Sequence, residues 1–310
     1  MPTRPIANAP CSWGTLEFAD LSGTRIAYTQ MLDELVATGY SGTELGDWGF
    51  MPTDPATLAA ELHQRNLTLI GAFVPVDLRA DDVAVAPAVN HAIRTATLLA
   101  EAAVILGQSH PPLLILADAN GTDPVRTAHA GRITKRAPSG VLVHAANVAS
   151  TTARAVFAAT GLRSAFHHHC AGIVETPEEV RRFLMHIDHE VLGLVFDTGH
   201  MLYGSASNST DLVALLHEFA PHIRLVHYKD CNTTVADHIR ATKGDYFAAL
   251  QAGIFCELGQ GAVQFDTISS ALNAINYSGW IVVEQDVLPG MGAPRDSAAR
   301  NRHYLRTIGL

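Results

Sequence analysis

The chain has 310 residues, of which 48% are hydrophobic and 16% are charged, a composition typical of a globular protein with a large core. Its formal net charge of -9 at pH 7 argues against a surface that follows a nucleic acid backbone. No apolar run reaches the roughly 18 residues of a membrane span, and the N-terminus lacks a signal-type apolar core, so we expect a cytoplasmic protein. Four widely spaced cysteines predict packed thiols rather than disulfides or a zinc site.

Short apolar runs with β propensity alternate with Ala- and Leu-rich helical stretches, which is typical of a parallel sheet wrapped by helices. The predicted strands are Ile6–Trp13, Gly42–Gly46, Thr68–Val76, Leu113–Asp118, Ser164–His169, Leu192–Asp197, Ile223–Lys229 and Trp280–Gln285. Helices are predicted to begin at Pro55, after Asp54, and after Thr176, where Glu179 completes a capping box. Eight strands favour one α/β domain over residues 1–310, a (β/α)8 TIM barrel, over a doubly wound sheet.

Two stretches are longer than a simple strand–helix unit requires. Residues 119–140 follow the fourth strand and are polar and rich in Gly and Pro. Residues 231–265 follow the seventh strand and are predicted to hold a helix and then a Gly-rich loop. Extensions after barrel strands lie on the catalytic face, so each is a candidate wall or lid of a pocket, with a solvated loop as the alternative.

Polar side chains end several otherwise apolar strands, and the carboxyl ends of barrel strands converge on one mouth. Burying such charges without partners would cost several kcal/mol, so a cation that they share is the simplest way to satisfy them. Asp197, His227 and Glu284 each follow apolar residues and are each predicted to be the last inward residue of a strand. Taken singly, Asp197 could instead cap a helix and His227 could be a hydrogen-bonded core histidine. Together they predict a metal site.

These residues lie in motifs that resemble a known family. The segments that begin at Asp197 (Asp-Thr-Gly-His), His227 (His-Tyr-Lys-Asp) and Val283 (Val-Glu-Gln-Asp) are similar to the xylose isomerase-like superfamily of sugar isomerases, epimerases and endonuclease IV-like barrels. Within it, the chain most resembles the inosose dehydratases. That likeness extends to the segments 9–14, 117–120, 167–176 and 253–265.

The resemblance implies that Asp197, His227 and Glu284 bind a divalent metal, with Mn²⁺ favoured and Co²⁺, Mg²⁺ or Zn²⁺ as alternatives. A fourth ligand in the superfamily is usually a Glu on the fifth strand, but this chain has His167 and two further histidines there. Glu175 is preferred as the fourth ligand because a third anionic ligand suits Mn²⁺, and His167 is its competitor.

The resemblance also implies a reaction on a small polyhydroxylated ketone. Dehydration of a keto-cyclitol begins with removal of the proton next to the carbonyl, and a ketose isomerase or epimerase would share that first step. Glu44, His200 and Lys229 are the candidate catalytic residues, although Glu44 could instead pair with an arginine and Lys229 with Asp230. The candidate substrate-binding residues are Trp13, Trp48, Asp118, Arg126 and His169.

Other classes of protein have less support. A repair nuclease on this scaffold would need a basic groove, and a non-enzymatic binding subunit would not need the three intact ligands. We therefore expect a small-molecule partner rather than a nucleic acid or a membrane. The apolar composition leaves room for a homo-oligomer.

Overall fold

Eight parallel strands close into a barrel in the computed structural model, which describes residues 4–14, 26–119, 121–134, 136–288 and 290–310. The barrel strands are β1 (Ile6–Asn8), β2 (Gly42–Glu44), β3 (Thr68–Val76), β4 (Leu113–Asp118), β5 (Ser164–His167), β6 (Leu192–Asp197), β7 (Ile223–Tyr228) and β10 (Ile281–Val283). They follow one another in chain order around the barrel, and β10 pairs with β1. The predicted barrel is confirmed, and the alternative of a doubly wound sheet is wrong.

Three strands, β3, β4 and β6, have the bounds that the sequence predicts, whereas the other five are shorter than predicted at their carboxyl ends. The first strand stops before Pro10 because residues 10–13 form a 3-10 turn instead of extended backbone. At the carboxyl ends of β5, β7 and β10 the residues that fall outside the strands are polar ones, among them His168, Lys229 and Glu284.

Helices alternate with the strands. They are α1 (Tyr28–Thr38), α2 (Pro55–His63), α3 (Asp82–Ile105), α4 (Pro124–His129), α5 (Ser139–Thr160), α6 (Pro177–Leu184), α7 (Thr198–Gly204), α8 (Leu212–Phe219), α9 (Thr233–Thr242), α10 (Tyr246–Gln251), α11 (Phe265–Ala274) and α12 (Pro294–Thr307). Both predicted helix starts are confirmed: Asp54 caps α2, and Thr176 and Glu179 form a reciprocal capping box at α6. Within the described ranges, no helix is both long and apolar enough to cross a membrane.

The two extensions contact each other above the barrel. Residues 231–265 contain the predicted helix, α9, and the predicted Gly-rich loop, and the structure adds a second helix, α10, and a strand pair, β8 (Asp230–Cys231) and β9 (Phe255–Cys256), which the sequence did not predict. The Arg132 guanidinium donates to the carbonyl of Gly244 at 2.6 Å, and Arg240 donates to that of Gly131 at 2.9 Å. Asn120, in the first extension, lies outside the described residues.

A layer of small and branched apolar side chains fills the barrel interior. Its members are Ala7, Ala9, Ile70, Ile115, Ala165, Val195, Leu225 and Val282. Alternate residues of a strand share a face, so the side chains two positions further on also point inward, nearer the carboxyl ends. Four of those positions carry His167, Asp197, His227 and Glu284. The parity of the strands therefore places two imidazoles and two carboxylates together at the mouth.

Candidate metal centre

One donor atom from each of His167, Asp197, His227 and Glu284 lies within 4.8 Å of the others, and we call these four residues the metal cluster. They are contributed by four neighbouring strands, β5, β6, β7 and β10. Two imidazole nitrogens and two carboxylate oxygens are donors that Mn²⁺, Co²⁺ and Zn²⁺ accept. The donor set therefore fits a divalent metal ion.

The two carboxylate oxygens of Asp197 have different partners: one caps a helix and the other faces the cluster. Oδ1 accepts a hydrogen bond from the His200 backbone N–H at 2.7 Å and so caps α7. Oδ2 lies 3.3 Å from Nε2 of His167 and 3.9 Å from Nδ1 of His227. Burial, together with the nearby Glu284 carboxylate, raises the pKa of Asp197 to about 6, although Lys229, His227 and the His200 backbone N–H act in the opposite direction. Asp197 can therefore cap α7 and still offer an oxygen to a metal ion, although the sequence leaves these two roles as alternatives.

His227 lies between two carboxylates. Its Nδ1 is 2.7 Å from Oε2 of Glu284, and its Nε2 is 2.9 Å from Oε1 of Glu44. Burial by itself would lower the pKa of His227, but Glu44 and Glu284 outweigh that effect and raise it to about 10. A divalent ion held by His227 would take the place of a ring proton, as is usual when histidine becomes a ligand. Glu44 then keeps the ring oriented through Nε2.

Lys229 is a buried cation at the edge of the cluster. Its Nζ lies 3.2 Å from Oε1 of Glu284 and 3.1 Å from Oδ2 of Asp286. Burial lowers the pKa of Lys229, but these carboxylates outweigh it and hold the pKa well above its usual value. Asp230 is not the partner, because its oxygens accept hydrogen bonds from the backbone amides of the Gly-rich loop 259–263.

Glu175 does not belong to the cluster, which corrects the preference for it as the fourth ligand. Its two oxygens accept hydrogen bonds from the backbone amides of Gly131 and Ala171, both at 2.8 Å. Burial raises the pKa of Glu175 to about 7. His167, the competitor, ends β5 with the same inward orientation as Asp197, His227 and Glu284 and is the fourth member of the cluster.

A pocket opens directly above the cluster and encloses about 720 Å³, its mouth included. Among the predicted site residues, Glu44, His169, His200 and Lys229 line it, together with His167, His227 and Glu284. Burial lowers the pKa of both His169 and His200 well below the usual range, so both rings are neutral. The Cys170 backbone N–H lies 3.2 Å from Nδ1 of His200, which makes that nitrogen an acceptor and places the proton of the neutral ring on Nε2.

Other residues that line the pocket were not among the predicted site residues. They are Ala9, Pro10, Cys11, Gly46, Asp47, Phe73, Tyr246, Leu250 and Asp286. Asp286 could have been identified from the sequence, since it is the last residue of the Val-Glu-Gln-Asp motif. Tyr246 and Leu250 come from α10, so the extension 231–265 does form a wall, but no motif marks these two residues. Phe73 has no polar or reactive group, so its side-chain type does not mark it as a pocket residue.

Three predicted substrate-binding residues have other partners, which corrects their assignment. The Trp13 indole N–H donates to Glu34 at 2.7 Å, and Trp13 is buried in the main core. Trp48 lies beneath the guanidinium of a neighbouring arginine, 4.2 Å from its ring centroid. Asp118 is buried and accepts hydrogen bonds from the backbone amides of Leu78 and Ile173. These side chains stabilise the fold around the pocket instead of lining it.

Arg126 is also buried away from the pocket, in a bidentate ion pair with Glu179 at 2.8 and 2.9 Å. Burial raises the pKa of Glu179, but Arg126 outweighs it and lowers that pKa below its ordinary value. Glu179 also accepts hydrogen bonds from the backbone amides of Ala137 and Thr176. The pair therefore joins the extension 119–140 to the start of α6, and Arg126 acts in stability.

Replacing Arg126 with Met is expected to lower the free energy of unfolding by about 3–5 kcal/mol, because Glu179 is left as a buried, unpaired charge. Urea unfolding measures this, and adding Glu179→Gln should recover part of the loss. If Arg126→Met unfolds at the normal urea midpoint but has a raised KM, this role is contradicted and Arg126 is a substrate-binding residue.

A closed parallel barrel with ligand-type side chains at its carboxyl mouth is the architecture of a TIM-barrel enzyme. The sequence profile of the xylose isomerase-like TIM barrel family matches residues 32–308, and the chain belongs to that family. The inosose dehydratase of Geobacillus kaustophilus (strain HTA426) is 29% identical over 302 residues, which cover 97% of this chain and 93% of the relative. That of Serratia proteamaculans (strain 568) is 26% identical over 309 residues, 98% of each chain.

Solved structures share the fold at lower identity. A 3-keto-D-glucoside 4-epimerase from E. coli has a TM-score of 0.68 at 16% identity and covers 98% of this chain and 99% of its own. The probable 3-DHS dehydratase of petrobactin synthesis from Bacillus anthracis has a TM-score of 0.64 at 16% identity, with 97% and 98% covered. The relatives support an enzyme of this superfamily that acts on a small, sugar-like molecule.

Proposed function

We propose that the protein is a metal-dependent lyase that dehydrates a cyclic keto-polyol of the inosose type. The observation that carries the proposal is the metal cluster, which opens onto a pocket that Glu44, His200 and Lys229 also line. The relatives named inosose dehydratase, which match the chain over nearly its whole length, support the choice of substrate class.

His167, Asp197, His227 and Glu284 would hold the ion, for which we propose Mn²⁺. A divalent ion at this position supplies Lewis acidity that makes a proton next to a bound carbonyl easier to remove. The remaining steps belong to side chains of this chain.

Glu44 is the proposed base. Its carboxylate lines the pocket beside the cluster and is held by His227 at 2.9 Å, within reach of a substrate that lies over the cluster. Lys229 contributes a fixed positive charge at Nζ, which stabilises negative charge on a substrate oxygen as it develops. Both groups are in place before the substrate binds, so little reorganisation is required.

His200 is the proposed hydrogen-bond donor to the departing hydroxyl, and the proton that Glu44 removes from the substrate can complete the water that leaves. Because the Cys170 N–H occupies Nδ1, the neutral ring carries its proton on Nε2, and the ring lines the pocket. A donor, and not a second base, is what loss of hydroxide requires. Phe73 and Leu250 also line the pocket and offer apolar surface to the C–H face of a ring.

Incubation of the metal-loaded protein with 2-keto-myo-inositol tests the proposal. Dehydration is expected to produce a conjugated enol with new ultraviolet absorbance, and chelator-treated protein should produce none. An isomerase or epimerase with the same base would show no such absorbance but would exchange solvent deuterium into the recovered substrate. If fully loaded protein gives no new absorbance and no deuterium exchange, both the dehydratase and the isomerase or epimerase are contradicted.

A further inference from the structure

A second group of potential ligands adjoins the metal cluster. One donor atom each from Cys11, Glu284 and Asp286 lies within 4.8 Å of the other two, so the second group shares Glu284 with the first. The oxygens of Glu284 are divided: Oε2 faces His227 at 2.7 Å, and Oε1 faces Nζ of Lys229 at 3.2 Å. Asp286 approaches the same Nζ at 3.1 Å. The point where the two carboxylates converge therefore holds a positive charge supplied by the chain.

The motif that follows β6 holds Lys229 in this position. The Thr198 hydroxyl donates to the Lys229 carbonyl at 2.7 Å and accepts from its backbone N–H at 3.0 Å. The Lys229 stem occupies the space beside Gly199, where a Cβ would come within 2.6 Å of its Cγ. Nζ lies 4.5 Å from the ring centroid of Phe255, and Lys229 is only 1% exposed. The ammonium group is therefore packed into one place.

The charges agree with a single ion. The carboxylates of Asp197, Glu284, Asp286 and the neighbouring Glu44 carry four negative charges, and one divalent ion with one ammonium group supplies three positive charges, so a second divalent ion would leave an excess of positive charge. A second divalent ion on Glu284 and Asp286 would lie against Nζ and would meet a like charge with little water to screen it. It would also displace the hydrogen bond that Lys229 donates to Asp286.

We propose that Lys229 acts as a built-in second cation, which occupies the place of a second metal ion and limits the site to one. Removal of its ammonium group would open a metal site formed by Cys11, Glu284 and Asp286. The inference rests on the metal site of the proposed function but not on the reaction catalysed there.

Cadmium titration of the chelator-stripped full-length protein tests the inference, because Cd²⁺ accepts thiolate, imidazole and carboxylate ligands. The variant Lys229→Met keeps the aliphatic stem and vacates only the position of Nζ. Calorimetry is expected to give one Cd²⁺ per chain for the unaltered protein and two for Lys229→Met. The second ion should add a thiolate-to-cadmium absorbance band as the Cys11 thiol releases its proton to solvent.

Matched variants identify the ligands of the second ion. Cys11→Ser in the Lys229→Met background should abolish the thiolate band and weaken the second binding event at least about tenfold. Lys229→Arg keeps the charge and should still bind one ion. Lys229→Ala, which leaves more space, should bind two if Lys229→Met does not fold.

Two results would overturn the inference alone: one ion bound by folded Lys229→Met or Lys229→Ala, or two ions with a thiolate band in the unaltered protein. Binding of no ion by the folded, unaltered protein would instead overturn the metal site itself, and the inference with it. Retention of the first ion by Lys229→Met shows that its barrel mouth is intact.

Discussion

Asp197→Ala and His167→Ala are each expected to abolish stoichiometric metal binding and to lower kcat/KM by at least about 1,000-fold. Loss of the ion removes several kcal/mol of transition-state stabilisation, and each 1.36 kcal/mol is about a factor of ten in rate. Asp197→Ala should also reduce stability by about 1 kcal/mol, because its Oδ1 caps α7. Metal analysis of the purified variants and calorimetric titration measure the first effect, and substrate kinetics measure the second.

Glu175→Gln is the matched control for these ligand variants. Glu175 is a buried acid near the site, but its oxygens accept hydrogen bonds from two backbone amides and do not face the cluster. The amide NH₂ of Gln would face one of those N–H groups, so we expect stability to fall by about 1–3 kcal/mol. Metal stoichiometry should not change. Glu175 would be the fourth ligand after all if folded Glu175→Gln lost its metal ion while His167→Ala kept it.

Glu44→Gln is expected to lower kcat by about 10²- to 10⁴-fold, the contribution typical of a positioned base. The amide oxygen of Gln can still accept the hydrogen bond from Nε2 of His227, so the ring should keep its orientation. Solvent deuterium exchange into the substrate should fall in parallel, because Glu44 is proposed to remove the proton. Steady-state kinetics measure kcat, and mass spectrometry of the recovered substrate measures deuterium exchange.

The same variant separates catalysis from support of the metal. If Glu44 only orients His227, Glu44→Ala, which removes the acceptor, should weaken metal affinity by about 10- to 100-fold and regain activity in excess metal, whereas Glu44→Gln, which keeps the hydrogen bond, should remain active. If Glu44 is the base, affinity should be nearly unchanged and excess metal should not rescue the rate. Restoration of full activity at saturating metal would therefore contradict the proposed role.

The barrel could be predicted because its signals are local. Buried parallel strands are continuous apolar runs such as Leu192–Asp197, and helix starts such as Thr176 carry their capping residues within three positions. The meeting of three members of the metal cluster could also be predicted, since period-two alternation fixes which side chains point inward. Asp197, His227 and Glu284 each follow an interior apolar residue by two positions.

The roles of individual polar residues could not be predicted in the same way. Arg126 and Asp118 lie on a predicted polar extension and strand end, as a substrate-binding residue would, yet they pair with Glu179 and with backbone amides. The amino-acid type specifies which bonds a side chain can make. The partner that completes those bonds lies far away in sequence.

The sequence by itself thus determined the closed barrel, the alternation of inward and outward side chains along its strands, and the meeting of Asp197, His227 and Glu284 at its mouth, because each follows from periodicities of a few residues. Only the tertiary structure decided that His167 and not Glu175 completes the cluster and that α10 walls the pocket. It alone showed that Lys229 joins Glu284 to Asp286. Those outcomes depend on distances between separate strands and extensions, and such distances are set by how the whole barrel packs.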